Sequence, residues 1–285
     1  MGALFRKTGP LSLLLVTVLP LLLGFGYAFL YSLGLTGLLD SGFTLKHWTH
    51  GLSDGQFWQS LGYSLYIAAI TMALTLILAL ALTLKLGEAL RRGAPSYLVY
   101  WPLAFPAIVS AFLTFQLFSD GGFAARVAFQ LGAITSPEQF PDLVNDAAGI
   151  GIIAAHVFLA TPFFVILFGN LMESERIAEL NLLARTLGAG SGQALRRVAV
   201  PVLLNRAMPT IILYFIFVLG SYEIPLLLGR QSPEMVSVMI VRKLQRFNLL
   251  DIPRAYMIAC CYILFVSIFL WLSFRVRKRW VDGAS

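Results

Sequence analysis

Charged side chains are scarce in this chain. Only 12% of its 285 residues are Asp, Glu, Lys or Arg, whereas 58% are hydrophobic. A soluble globular domain carries roughly a quarter charged residues. A chain of this length cannot bury so much apolar surface within itself, so the composition excludes a water-soluble protein and predicts an integral membrane protein.

Cysteine and histidine are also rare, which leaves little material for a metal site. Cys260 and Cys261 are neighbours in sequence, and adjacent side chains of a helix point about 100° apart, so we expect no disulfide between them. The histidines, His47, His50 and His156, are scattered along the chain, which favours structural roles over metal binding. The sequence predicts no metal site and no cofactor bound by this chain.

The sequence lacks the motifs of several enzyme classes. It contains no H-E-x-x-H and no glycine-lysine motif of a phosphate-binding loop. We therefore expect no catalytic residue, and if the protein uses ATP, the hydrolysing site lies on another chain. The net charge of +7 comes from dispersed residues without a basic, aromatic-rich platform, so nucleic acid is not an expected partner.

Long apolar runs are what the chain has in abundance. Each reaches the roughly 20 residues that a helix needs to cross about 30 Å of hydrocarbon. The runs are 11–33, 61–84, 98–119, 149–171, 207–229 and 255–274, and Glu223 in the fifth is their only charged residue. They predict an all-α protein with six transmembrane helices. The first run is longer than a signal-peptide core, and no A-x-A-like site follows it, so we interpret it as a retained helix.

The basic residues indicate the orientation of these helices. If six helices cross in turn, most of the 21 Lys and Arg residues fall on the side that holds both termini. The positive-inside rule then places both termini in the cytoplasm. The cluster Arg242, Lys243 and Arg246 is an exception on the outer side, where we expect a short helix.

A polar island, residues 174–201, separates the fourth and fifth runs. Ile177, Leu180 and Ala184 lie at helical spacing, Gly188 interrupts the pattern, and Pro201 ends the segment before the next membrane helix. The pattern predicts a helix, a glycine turn and a second helix. Two interpretations remain open from the residues alone: a connector resting on lipid headgroups, or an element that contacts a soluble partner.

The spacing within the island resembles the EAA loop of binding-protein-dependent ABC importer permeases. That loop has the form E-A-A-x-x-x-G, then nine residues, then I-x-L-P. The matching positions here are Leu182, Leu183 and Ala184, then Gly188, then Val198, Val200 and Pro201. Leu182 replaces the first glutamate, and Glu179 lies one helical turn earlier.

Two further segments extend the resemblance over most of the chain. Residues 60–65 are similar to the start of the permease domain, and residues 220–229 resemble the fifth helix of the polyamine, ferric-iron, thiamine and phosphonate-type subgroup. The resemblance implies a type I permease fold with a core domain at 60–275 and a cytoplasmic coupling loop at 172–204. A first helix and outer loop at 1–59 would precede the core, and a cytoplasmic tail at 276–285 would follow it.

The resemblance also implies a function. The chain would be a non-enzymatic permease subunit in the bacterial cytoplasmic membrane, forming half of a path for a small polar or charged solute. Its partners would be an ABC ATPase dimer that binds ATP and Mg²⁺, a second permease subunit and an extracytoplasmic solute-binding protein. The loop 179–201 would contact the ATPase through Glu179, Leu180, Leu183, Ala184, Arg185, Leu187, Gly188, Ala189 and Pro201.

Ser221, Tyr222 and Glu223 are candidates for a gate or pore. A carboxylate facing lipid costs roughly 2–3 kcal/mol, so Glu223 should face a cavity, a neighbouring helix or the outer gate. It could act on the solute, or it could form part of a hydrogen-bonded hinge beside Pro225. The alternative for the whole chain is a secondary transporter or channel, which usually needs several intramembrane charges or internal repeats.

Overall fold

The computed structural model describes residues 2–37, 42–91, 97 and 99–282, and these ranges contain helices and no strand. The helices are α1 Gly2–Ser32, α2 Lys46–Leu52, α3 Gly55–Arg91, α4 Ala107–Phe118, α5 Phe123–Gln130, α6 Ile150–Ser174, α7 Ile177–Thr186, α8 Ser191–Ala194, α9 Val200–Leu219, α10 Glu223–Leu228, α11 Val236–Gln245 and α12 Asp251–Asp282. Short 3₁₀ turns cover Trp101–Ala104 and Pro137–Gln139. A π turn at Leu195–Ala199 joins α8 to α9.

Six helical segments of the described ranges are long and apolar enough to cross a membrane. They are Leu14–Ser32, Gly55–Gly87, Ala107–Gln130, Ile150–Ser174, Ser191–Leu219 and Asp251–Arg275. Each overlaps one of the six apolar runs. The prediction of an all-α membrane protein with six transmembrane helices is therefore confirmed.

The third run does not form one helix over 98–119. Its first residue lies outside the described residues, and α4 begins only at Ala107. Phe105 is extended, with ψ of 126°, because a residue before proline is disfavoured in the helical region. Pro106 then precedes α4, which ends at Phe118 and is followed by a turn and α5.

The fifth run differs from its prediction at both ends. Pro201 does not end the preceding helix, because helical structure continues from α8 through the π turn into α9, whose second residue is Pro201. Helix α9 ends at Leu219, Gly220 caps it, and Glu223 begins the separate helix α10. The segment 207–229 is thus a broken helix.

The chain divides into two compact units, of which one covers Gly62–Met235. The core of this unit joins α3, α6, α7 and α9. Its buried members include Met72, Phe164, Phe168, Ile177 and Leu203. This core places α7 against the ends of two membrane-spanning helices.

The other unit comprises the chain up to Leu61 and from Val236 onward. Helix α1 packs against α12, with the rings of Tyr31 and Tyr256 4.7 Å apart. Arg242 and Lys243 lie on α11, which is the short helix expected for the basic cluster. Arg246, which follows α11, lies 3.7 Å from a carboxylate oxygen of Asp251. The predicted domain boundaries at 59 and 275 remain a prediction.

Two of the histidines lie on α2 in this second unit. Partial burial, followed by the charges of Arg254 and His50, lowers the pKa of His47 below its usual range. Groups of three or more metal-ligating side chains are absent from the part of the chain that the structure describes.

Candidate functional site

The polar island forms a helical hairpin between the fourth and fifth membrane-spanning segments. Helix α6 ends at Ser174, and the chain turns at Arg176, whose φ of 49° lies in the left-handed region. Helix α7 covers Ile177–Thr186, and helical structure resumes at Ser191. This is the helix, glycine turn and helix that the spacing predicts.

The base of the hairpin is fixed to both adjoining membrane-spanning segments. Ile177 is fully buried and belongs to the same apolar cluster as Phe168 of α6 and Leu203 of α9. The Glu175 carboxylate accepts an ion-paired hydrogen bond from Nε of Arg206, 3.0 Å away. The hairpin cannot move freely as a loop, since these contacts connect it to α6 and α9.

The far side of the hairpin presents large aliphatic side chains to the surroundings. Leu182 is 63% exposed, Leu183 59% and Leu187 81%. Leu180 and Arg185 are also exposed. None of the predicted ATPase-contacting residues is buried. Exposed leucines grouped on a polar segment are typical of a binding surface, because water contact with them is unfavourable.

The turn at Gly188 has the geometry of a Schellman motif. Gly188 has φ of +91°, its N–H donates to the Arg185 carbonyl at 3.0 Å, and the N–H of Ala189 donates to the Ala184 carbonyl at 3.0 Å. A Cβ at Gly188 would meet no neighbouring atom within 4 Å. The requirement for glycine is therefore one of backbone conformation rather than space.

The gate candidates Ser221, Tyr222 and Glu223 lie at the break between α9 and α10. Glu223 is exposed in the isolated chain and occupies the first turn of α10, where negative charge is favourable. The Ser221 hydroxyl lies 3.0 Å from Nε2 of His156 on α6. The structure brings these three residues together, but separates them from the hairpin by the helical segment Ser191–Leu219, about 40 Å long.

Sequence reasoning gave His156 a structural role and did not place it beside the gate candidates. It is 2% exposed, and its Nδ1 lies 2.8 Å from the Ile152 carbonyl. An ionisable side chain within an apolar run was the available signal. Its partner, 65 positions away, has no signature in local sequence.

The described residues form six membrane-crossing helices with an anchored hairpin exposed between the fourth and fifth, and the class of the protein follows from its family. Residues 91–282 match the family model described as "Binding-protein-dependent transport system inner membrane component". The chain belongs to this family of ABC importer permeases, as the resemblance predicted.

Curated relatives agree with this assignment. The molybdenum transport system permease protein ModB of Azotobacter vinelandii is 26% identical over 219 residues, which cover 75% of this chain and 92% of ModB. The thiamine transport system permease protein ThiP of Brucella abortus (strain 2308) is 29% identical over 180 residues, 62% of this chain. The match spans about a third of the length of ThiP, 32%.

A solved structure shows the same fold. The crystal structure of a bacterial ABC transporter involved in the import of the acidic polysaccharide alginate contains a chain that matches with a TM-score of 0.67. The match covers 97% of this chain and 99% of that chain at 18% identity. At this identity the similarity shows the fold alone.

Proposed function

We propose that this chain forms half of the translocation path of an ATP-driven importer and that the hairpin couples it to a separate ATPase subunit. The observation that carries the proposal is the exposed leucine surface on a firmly anchored hairpin. A headgroup-resting connector would not need its base fixed to two membrane-spanning helices. A coupling element does, because force on α7 must reach α6 and α9.

The residues of the hairpin have distinct roles in this proposal. Leu183 and Leu187 enter an apolar groove of the ATPase, and the Gly188 turn permits close approach of the backbone. Arg185, which is exposed, pairs with an acid of the ATPase. Leu182, at the position where the EAA motif has glutamate, adds apolar contact in place of that acid. Glu179, Leu180, Ala184, Ala189 and Pro201 complete the contact surface.

The proposed mechanism transmits ATPase closure to the membrane. ATP and Mg²⁺ bind the partner ATPase dimer, whose closure brings two coupling hairpins together. Because Ile177 and the Glu175–Arg206 pair join the hairpin to α6 and α9, these helices move with it. A loaded binding protein on the other side favours the same state, which is linkage between two sites through one conformational equilibrium.

The remaining parts of the proposal concern location and partners. The chain lies in the bacterial inner membrane with the hairpin and both termini in the cytoplasm, and it pairs with a second permease. An extracytoplasmic solute-binding protein delivers the solute. One chain of a related architecture occurs in a crystal structure with an alginate pentasaccharide-bound periplasmic protein, which supports a partner of this kind.

The solute is proposed only as a class, small and polar or charged. Polyamine, ferric iron, thiamine and phosphonate-like solutes belong to the subgroup that residues 220–229 resemble. The names of the relatives point to molybdenum, thiamine and alginate, so they do not choose one solute.

Copurification of the tagged protein in mild detergent tests the proposal. Wild type should bring an ATPase and a second permease, and Gly188→Trp should lose the ATPase while it keeps the permease. Gly132→Trp is the matched control, because Gly132 also has a left-handed φ and open space around it and lies outside the hairpin. If folded wild type brings no ATPase, the coupling proposal fails and ATP-independent transport becomes the better interpretation.

A further inference from the structure

The break between α9 and α10 comes directly after the fifth membrane-spanning segment, Ser191–Leu219. Helix α9 ends at Leu219 with a tightened turn, in which the N–H of Ser221 donates to the Val218 carbonyl at 3.1 Å. Helix α10 begins at Glu223, two residues after Ser221. The Tyr222 carbonyl accepts a hydrogen bond from the N–H of Leu226 at 2.9 Å.

His156 supplies a side-chain hydrogen bond to this break, and its direction is fixed. The Ile152 carbonyl can only accept, so Nδ1 of His156, 2.8 Å away, carries the proton. In the neutral ring Nε2 is then an acceptor, and the Ser221 hydroxyl donates to it over 3.0 Å. This bond joins the first turns of α6 to the residue where α9 gives way to α10.

The opposite end of α10 is held by the start of α6 and by the loop that precedes it. The Leu228 carbonyl accepts from the N–H of Asn145 at 2.9 Å. At Gly229 an added Cβ would lie 3.3 Å from Cδ1 of Ile152, so the backbone passes close to that side chain. Ile152 and His156 are one helical turn apart. Helix α10 therefore lies along the start of α6, with the His156–Ser221 hydrogen bond just before its first residue and the Asn145 and Ile152 contacts at its last residues.

We propose that the His156–Ser221 hydrogen bond is a latch that positions Ser221, Tyr222 and Glu223, and that His156 is a positioning residue for transport. The assignment of these three residues to the translocation path rests on the proposed function. Ile224, beside the latch, and Leu228, at the far end of α10, are both almost completely buried. The latched end has a bond that can break and reform as α9 moves, which makes it the place where the segment opens.

The experiment follows the opening of the break through a buried reporter thiol. Ile224→Cys is introduced into the full chain with Cys260→Ala and Cys261→Ala, and maleimide labelling rates are measured in nanodiscs. Ile224 is 2% exposed, so the thiol reacts only when the segment opens, and the rate follows the population of the open form. Ser221→Ala and His156→Leu should each raise the rate by about two- to tenfold, the range for one neutral hydrogen bond.

A double-mutant cycle separates a latch from general damage. If the two side chains act through one bond, Ser221→Ala with His156→Leu should label no faster than either single variant. Ser221→Thr, which keeps the hydroxyl, and His156→Gln, which keeps an acceptor, should stay near the parent rate. His50→Leu is the control for loss of a histidine outside this site.

Two results would overturn the latch. One is a labelling rate for Ser221→Ala equal to that of the parent. Because this substitution removes a single oxygen atom, it is sufficient for the test if His156→Leu does not fold. The other is a double variant in which the two effects multiply. Labelling needs no ATPase, binding protein or solute. Absence of an ATPase from the wild-type copurification would therefore defeat the proposed coupling and leave the labelling result unchanged.

Discussion

Ile177 and Leu187 lie on the same hairpin, and their surroundings are opposite. Ile177 is fully buried against the cores of α6 and α9, whereas Leu187 is 81% exposed. Burial of an aliphatic side chain stabilises the fold, and exposure leaves the side chain available to a partner. Within the hairpin, Ile177 therefore stabilises the fold, and Leu187 is available for association with a partner.

Alanine at these two positions should give opposite phenotypes. Ile177→Ala should lower the free energy of unfolding by about 2–5 kcal/mol through the cavity that it leaves. Leu187→Ala should change that free energy by less than about 0.5 kcal/mol and weaken ATPase binding. Thermal unfolding in detergent and ATPase pull-down measure the two effects. Phe247→Ala, at an exposed side chain outside the hairpin, should change neither the free energy of unfolding nor ATPase binding. Comparable destabilisation by Ile177→Ala and Leu187→Ala would contradict the separate roles of these two residues.

Glu223 is the one acid in the broken fifth segment, and Glu223→Gln removes its charge while keeping its shape. Because the side chain is exposed in the isolated chain, stability and assembly should stay near wild type. Solute uptake and binding-protein-stimulated ATP hydrolysis by the reconstituted complex should fall several-fold, with Glu138→Gln as the control. Normal uptake by Glu223→Gln would remove the carboxylate from the mechanism.

At the scale of elements, the end of α7 depends on one left-handed residue. The Schellman hydrogen bonds of Gly188 and Ala189 satisfy carbonyl groups that would otherwise be unpaired at the helix end. They also set the direction in which the chain leaves α7 for α8. The orientation of the leucine surface therefore depends on a turn that only glycine adopts without strain.

Gly188→Ala should weaken ATPase binding about tenfold, because a Cβ at φ of +91° costs roughly 1–2 kcal/mol. Gly192→Ala is the matched control. Gly192 lies in α8, has open space around it and lacks a left-handed φ, so alanine should be tolerated there. Titration of the ATPase against the permease in nanodiscs measures both. Equal affinity of Gly188→Ala and wild type would show that coupling does not need this turn geometry.

The sequence predicted these elements unevenly, for physical reasons. Hydropathy measures transfer into lipid, so the six membrane-crossing segments and the polar hairpin were predictable, and glycine spacing identified Gly188. Hydropathy does not detect where a helix breaks inside an apolar segment, as at Gly220, because that depends on stabilising neighbours. The His156–Ser221 bond joins two spans and could not be predicted from either one.

At the scale of the whole molecule, the proposed coupling requires the hairpin and the solute-receiving surface to lie on opposite sides of the membrane. One membrane-crossing segment, Ser191–Leu219, separates the hairpin from the segment that follows α11. The hairpin should thus lie in the cytoplasm and the segment that follows α11 outside the cell. This orientation agrees with the excess of Lys and Arg on the side of the termini.

Cysteine labelling tests this orientation with two of the most exposed apolar positions. In a Cys260→Ala, Cys261→Ala background, Leu187→Cys and Phe247→Cys place thiols at side chains that are 81% and 105% exposed. A membrane-impermeant maleimide reaches only the outer surface of a vesicle. It should label Phe247→Cys in right-side-out vesicles and Leu187→Cys only in inside-out vesicles. The reverse pattern would put the hairpin outside the cell, where no ATPase subunit can reach it, and coupling through residues 179–201 would be impossible.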